Sequence, residues 1–390
     1  MWIKHNKVLL SKMLLLLVIL LLSGLTTSGC VEGLQPIGWS GGIVADGSLF
    51  LGSIEGRLVA VDTSDGTRQW SDQITTTTPG GFGCTTSTTG VAIYGTPAVA
   101  EDLVYVGAYN GKIYAFDSSS LQKRWVYPPE GNLQPIVSGP VVALDKVYFG
   151  GSDGRVYALD ANTGVEVWES FSTGDKIWST PVVDNGTVYV TSFDKKLYAL
   201  NATTGEKKWE TTEAGGAIAA TPLVHNSTVY FGSFDRYLYA VDATDGSLKW
   251  KSEVEAGSWF WAKPVIYNNT IYAPSLDGKV YILDTESGHE LVDAIDLGAP
   301  VSSSPVVVDG LIIIASEVGQ IYSLDTANNQ KKLLNNVVKD EKRERVDAPL
   351  SSSNGVVYIH VHSQETDTLY KLDTQTGVES WQISLVSESK

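Results

Sequence analysis

The side chains whose types and spacing suit chemistry are mainly aromatic. Trp39, Tyr94, Trp178 and Trp261 each stand three residues before a Gly or Pro (Gly42, Pro97, Pro181, Pro264) that opens a short extended run, and Trp259 precedes Trp261 by two. Rings gathered in a concavity form a ligand-binding surface; with nothing to bind, they plug it. The neighbouring acids Asp175, Glu213 and Asp347 have the chemistry of metal ligands or a general base. Each sits alone in its segment, so they read as solvated surface carboxylates. No paired carboxylate, Ser/His/Asp arrangement or metal-ligand spacing stands out among the five His, and catalysis has no positive support.

What must position these rings is a repeat. Gly154-Arg-Val-Tyr-Ala-Leu-Asp160-Ala-Asn-Thr-Gly-Val-Glu-Val-Trp168 returns as Lys196-Leu-Tyr-Ala-Leu-Asn201-Ala-Thr-Thr-Gly-Glu-Lys-Lys-Trp209. It returns again as Tyr237-Leu-Tyr-Ala-Val-Asp242-Ala-Thr-Asp-Gly-Ser-Leu-Lys-Trp250. Weaker copies centre on Asp62, Asp117, Asp284, Asp325 and Asp373, which makes eight units. The anchor intervals of 55, 43, 41, 41, 42, 41 and 48 residues match a propeller blade of about 40–45 residues. Pro97, Pro140, Pro181, Pro222, Pro264 and Pro305 each precede their unit's anchor by 20, as Gly42 does in the first unit. Pro349 lies 24 before Asp373, which predicts a short insertion in the Val361 to Thr368 hairpin.

Each unit alternates apolar and polar residues over four short runs joined by turn pairs such as Asp153-Gly154 and Asn185-Gly186. With 18 Tyr, 11 Trp and 38 Gly against two Met, the composition suits sheet and tight turns. The expected fold is all-β, an eight-bladed β-propeller of four-stranded antiparallel blades over residues 37–385. The innermost strand of each blade lines the axis. The residue three before the anchor Pro then gives an axial ring of Trp39, Tyr94, Val137, Trp178, Ala219, Trp261, Ser302 and Val346.

The string Ala-x-Asp-x-x-Thr-Gly-x-x-x-Trp resembles the tryptophan-docking motif of quinoprotein-repeat propellers. The resemblance implies that Trp packs between adjacent blades while Asp and Thr-Gly form the turn that positions it. The motif residues are Trp70, Trp125, Trp168, Trp209, Trp250 and Trp381, with Asp62, Asp117, Asp160, Asn201, Asp242 and Asp373. Trp125 keeps its place although Ser120-Leu121 replaces the Thr-Gly pair; Val292 and Leu333 replace Trp in units six and seven, and those two interfaces are expected to be less regular.

Two functional classes follow from this resemblance. In a quinoprotein dehydrogenase, pyrroloquinoline quinone (PQQ) stacks on axial Trp beside Ca²⁺; the chain lacks the adjacent Cys-Cys pair of such alcohol dehydrogenases and any Cys-x-x-Cys-His haem site. The expectation is therefore no cofactor and no enzyme, with PQQ and Ca²⁺, or a small-ligand sensor at the aromatic mouth, as the alternative. The second class is a binding scaffold similar to the BamB-like lipoprotein propellers of outer-membrane β-barrel assembly, which meet a protein partner through loops on one face.

Residues 1–30 read as an export signal. Lys4, Lys7 and Lys12 precede the apolar run Met13 to Leu22, whose ten residues fall short of the roughly 20 that span a bilayer. Leu25-Thr26-Thr27-Ser28-Gly29-Cys30 resembles a bacterial lipobox, departing from it where Thr27 stands for the usual Leu. It implies lipidation of Cys30, a linker over 31–36 and a membrane-anchored extracytoplasmic body, with 386–390 as a tail. Cys84 is then left as a lone thiol.

Without three of its 28 basic side chains the remainder carries 25 against 44 acids, a formal charge of −19. Such a surface repels phosphates, which excludes nucleic acid and leaves the lipid as the expected membrane contact. Residues 71–92 form an insertion of about fourteen residues beyond the usual interblade link, and Lys331 to Arg345 concentrates basic side chains; both read as surface links that are also candidate contact loops. Sequons at Asn185, Asn201, Asn226 and Asn268 fall in turns whose chemistry alone explains Asn. Ring closure is left open between packing of the first blade on the last and a strand from residues 31–36 beside Trp381 to Leu385.

Overall fold

The computed structural model describes residues 38–78, 87–212 and 214–387. Cys30, Cys84, Glu213 and residues 31–36 lie outside them, and with them the expectations for the signal, lipid and linker.

In each blade the second and third strands are apolar on both faces because neighbouring blades cover both. Thr228–Gly232 and Leu238–Asp242 are buried almost throughout. The inner strand, Leu223–His225, is half-buried, and the outer strand, Leu248–Lys251, buries only its Trp250. Eight such four-stranded antiparallel sheets follow one another along the chain over residues 43–70, 98–127, 141–172, 182–210, 223–251, 265–296, 306–336 and 351–384, here blades 1 to 8. Eight apolar clusters fill the seams, each drawn from two consecutive blades, and the eighth joins Leu49, Leu51 and Val59 of blade 1 to Tyr358 and Leu369 of blade 8. Ile43–Ala45 also lies beside Ser351–Ser353. The ring thus closes by packing complete blades face to face. Among the described residues only Asp367–Asp373 pairs with the outer strand Glu379–Ser384.

The docking motif is built as expected in four seams. Trp125, Trp168, Trp209 and Trp250 donate their indole N–H to the carbonyls of Ala161, Ala202, Ala243 and Thr285, the residues just after the next blade's anchor. Tyr105, Tyr148, Tyr189 and Tyr230 of the second strands donate to the same four carbonyls, filling both lone pairs. Each ring lies over the turn glycine of the next blade. A Cβ on Gly246 would come within 2.5 Å of the Trp209 ring, and its φ of 74° is itself a glycine conformation. The anchor carboxylates accept from the turn: Asp160 takes the Asn162 and Thr163 N–H groups and the Thr163 hydroxyl, which hold it below the usual carboxylate range. Asp117, bonded by Ser119 and Ser120, is held down at about 2.

Trp70 departs from the motif. It has the same spacing from Asp62 as the other docking residues from their anchors, yet it pairs with Val59, whereas Trp209 and Trp250 pair with Ala199 and Ala240, the residues two before the anchor. In those blades a bulge precedes Trp, and one residue separates Trp from the Thr211 or Ser252 that caps the third strand through Leu197 or Leu238. In blade 1 the capping Ser71 follows Trp70 directly and the bulge is gone. A one-residue change in pairing turns a strand side chain to the other face. Trp70 therefore faces backwards into blade 8, donating to the Leu385 carbonyl at 3.4 Å. The space it leaves toward blade 2 is filled by Leu121, 2% exposed, in the place of the motif glycine and at a φ of 53°.

Val292 and Leu333 are exposed and dock nothing. Asn329, at a φ of 56°, replaces the turn glycine opposite Val292, and its side-chain oxygen accepts the Tyr272 hydroxyl at 3.3 Å. Lys331–Asn336, expected to begin a link, is the outer strand of blade 7; the irregular segment starts after it. Part of the 71–92 insertion is a two-stranded ribbon of its own, Thr75–Thr78 with Ser87–Gly90. Asn185, Asn226 and Asn268 take left-handed turn positions, and Asn201 accepts from the N–H groups of Thr203 and Thr204.

Candidate functional site

The inner strands begin at one end of the ring, and there the axial rings meet. Trp39, Tyr94, Trp178 and Trp261 line one cavity with Val137, Ala219 and Ser302, as the repeat predicts. The eighth member is Asp347, not Val346. Strand Ser351–Ser353 starts two residues after Pro349 where the other inner strands start one after their Pro or Gly, so Leu350 holds the Pro position and the ring member shifts by one. Val346 is fully buried between blades 7 and 8. Asp175 is exposed and off the axis, as expected of a solvated carboxylate.

Beneath the rings, neighbouring inner strands are tied by side-chain hydroxyls. The N–H groups of Gly139, Thr180 and Lys263 donate to Thr180, Thr221 and Ser304 at 3.0–3.1 Å. The Lys263 side chain enters the channel, where burial lowers its affinity for a proton. The axial cavity left is about 90 Å³, far below the roughly 300–1,000 Å³ of a cleft that buries a small-molecule ligand.

A second tier stands around the first. The residue after each second-strand hairpin Ser or its equivalent donates its N–H to the carbonyl two before the axial position: Phe193 to Lys176, Phe234 to Ala217, Leu276 to Trp259, Glu317 to Pro300 and His362 to Arg345. The hairpin acids hold these loops in place, since Asp194 accepts from both the Gly174 N–H and the Tyr198 hydroxyl. Burial and that carboxylate push the tyrosine well up from its ordinary value.

The two tiers divide the mouth by chemistry. Across blades 4 to 6 runs a continuous aromatic arc. Trp178 meets Phe193 edge-on at 4.8 Å and Trp261 at 6.3 Å, while Phe234 stacks on Trp259 at 4.4 Å and on Trp261 at 5.8 Å. The Lys176 ammonium lies 4.5 Å from both the Trp178 and Phe193 ring centres. Trp259, placed near the axis by its spacing, stands on the rim and is 46% exposed. Blades 1 and 2 add Trp39 against Tyr94 at 4.3 Å and Tyr94 against Tyr109 at 5.4 Å. Burial, then Tyr109, raises the Tyr94 hydroxyl to about 12.

The sector of blades 7 and 8 is polar: Ser302, Glu317, Arg345, Asp347 and His362. Ser302 donates to Asp347, and His362 Nε2 lies 3.6 Å from that carboxylate without hydrogen-bonding any group. Burial, then Asp347, raises the Glu317 carboxyl above its ordinary range. No group of three or more His, Cys, Asp or Glu is arranged to hold a metal ion among the described residues.

Phe193, Phe234, Glu317 and His362 were not singled out from the sequence. Their signal is present in the runs Ser192-Phe-Asp, Ser233-Phe-Asp and Ser316-Glu, where the middle position varies between blades.

Fold and site together define a tryptophan-docked eight-bladed propeller with an amphipathic axial mouth. The chain belongs to the family described as outer membrane protein assembly factor BamB, whose model matches residues 28–177 and 152–383. Among solved structures it is similar in fold to BamB from Moraxella catarrhalis, at 19% identity and a TM-score of 0.66, over 84% of this chain and 94% of that one. The computationally designed Ika8 protein is similar at 17% identity and a TM-score of 0.69, over 87% and 97%. No curated protein matches the chain.

Proposed function

We propose that the chain is an extracytoplasmic binding scaffold that holds a protein partner against the mouth end of its ring. The observation that carries this reading is the exposed stack of Trp259 on Phe234, continuous with Trp261, Trp178 and Phe193. Large aromatic rings supported from below are what protein interfaces use as anchors. The family description, an outer membrane protein assembly factor, supports an envelope-assembly role for that partner. Lipidation at Cys30 would tether the ring to the membrane through the lipid.

The quinone dehydrogenase alternative is disfavoured by the residues at the axis. A cavity of about 90 Å³ crossed by Lys263 has no room for a planar tricyclic cofactor, and among the described residues no third carboxylate joins Glu317 and Asp347 to complete a Ca²⁺ site.

A photo-crosslinking amino acid placed at residue 259, and at residue 244 in a turn at the opposite end, tests the scaffold reading in the producing cell. Crosslinks to one envelope protein from 259 alone, weakened at least tenfold by Phe234→Ala, support it. Equal crosslinking from both ends, or none, overturns it. Loss of acyl labelling in Cys30→Ala tests the anchor separately.

A further inference from the structure

Beside the axial cavity lies a second one of about 250 Å³, walled by Trp39 and Trp261 with Leu276 and Ser302 and flanked by Glu317, Asp347 and Arg345. Its two indoles and two carboxylates come from blades 1, 6, 7 and 8, so it exists only in the closed ring. The Arg345 guanidinium is turned to the Glu341 and Glu344 carbonyls. Among the described residues no Lys or Arg comes within ion-pair distance of Glu317 or Asp347, and His362 at 3.6 Å is the one basic group that does so with Asp347. Burial, then repulsion by the Asp347 charge, raises the Glu317 carboxyl above its ordinary range against the weaker opposing pull of Ser302 and Arg345. A positive charge between the two carboxylates relieves that repulsion. Indole faces attract the same charge through their ring quadrupoles, most strongly where water is excluded.

We propose that this pocket binds an organic monocation, a primary or quaternary ammonium on a short aliphatic stem, between the Trp39 and Trp261 rings and the Glu317 and Asp347 carboxylates. The volume decides the size class: it lies below the roughly 300–1,000 Å³ of drug-sized sites and suits one side chain or one small amine. Resting on the scaffold reading, the inference assigns the source as a lysine side chain of the partner segment anchored by Trp259. The aromatic rim takes the apolar part of that segment, and the acidic pocket, eight blades being one ring, fixes its register.

The test uses the mature chain, residues 31–390, titrated by calorimetry with acetyl-Gly-Lys-Gly-amide, its norleucine counterpart and tetramethylammonium. The lysine peptide is expected to bind saturably and at least tenfold more tightly than the norleucine peptide. Glu317→Gln with Asp347→Asn, and separately Trp261→Leu, should each weaken it tenfold or more while melting cooperatively like the parent; Thr244→Ala, in a turn at the opposite end of the ring, should leave it unchanged. Equal binding of the norleucine peptide, or unchanged lysine binding in the double acid variant, overturns the site, as does absence of binding by either cation at tens of millimolar. Tighter binding of the lysine peptide than of tetramethylammonium assigns the partner side chain as the source; equal or weaker binding assigns a free amine. The scaffold reading fails on a different readout, the crosslinks from residue 259. Peptide binding without those crosslinks leaves the pocket standing alone, and crosslinks without peptide binding leave the scaffold without it.

Discussion

The seams of blades 2 to 6 and the seam that closes the ring bury comparable apolar residues by different means. Between blades 2 and 6 one device repeats four times: an indole over a turn glycine, sharing a carbonyl with a tyrosine. At the closing seam Trp381 lies more loosely over Gly66, 3.5 Å from its would-be Cβ, and its N–H is buried without a partner. The carbonyl it would take, that of Thr63, accepts the Lys371 ammonium at 2.7 Å. Trp70 enters the same seam from the other side. A fully buried polar latch also joins the blades there. His360 donates through Nδ1 to the Ser40 carbonyl and pairs through Nε2 with Asp367, whose other oxygen accepts the Ile54 N–H at 2.8 Å. An internal seam can be copied from its neighbours, but the closing one must also select where the ring stops. A directional, buried polar pair specifies one partner surface where apolar packing alone does not.

The sharpest way to break this contrast is Asp367→Ala. It strands a buried imidazolium and the Ile54 N–H, and should cost about 3–5 kcal/mol in urea unfolding. Trp250→Ala, which empties one internal dock, should cost about 3–4 kcal/mol, and Trp70→Ala clearly less because its ring is only partly covered.

The latch also gives the closing seam a pH dependence on the alkaline side of neutrality, where the lowered aspartates of the docks do not titrate. Burial works against the His360 charge, but Asp367 and the two hydrogen bonds outweigh it and raise its affinity for protons above the ordinary value of 6.5. The stabilisation is complete below about pH 6.5 and is lost as pH rises through the raised value. Urea midpoints measured at rising pH should therefore fall, and His360→Asn should flatten that slope.

Gly246→Ala should exceed Gly66→Ala by roughly 1–3 kcal/mol, since both force a left-handed alanine but only the first strikes an indole. The smallest effect tests the flipped ring. One Lys inserted between Trp70 and Ser71 together with Leu121→Gly restores the bulge and the vacant dock, and should come within about 1 kcal/mol of the parent. The insertion alone should cost more, because the indole and Leu121 then compete for one space.

The eight blades and seven of the eight axial residues were legible because two anchors at fixed spacing report a backbone that repeats. The eighth axial residue was not, because Pro349 keeps the residue type while the strand start moves by one. The orientation of Trp70 was hidden for a related reason. Its distance from Asp62 matches the motif, and the deciding difference is the position of a serine after it. Leu121 was the visible trace of that change, standing in the sequence where the motif has Gly. His360 and Asp367 carried no signal at all, since their partners Ser40 and Ile54 lie more than 300 residues away in the chain. The polar sector of the mouth was missed because it is made by exceptions to the repeat.

Closure by two complete blades bears on how the protein is made. Every internal seam forms between segments about 40 residues apart, so blades can stack in order as the chain emerges. The last seam unites residues 40–70 with residues 358–385, a loop whose closure carries the largest entropic cost in the molecule. Until its final thirty or so residues are available, the chain is an open arc with one face of blade 1 uncovered. Completion of the ring is the late step, and truncation at the C-terminus stops the protein there.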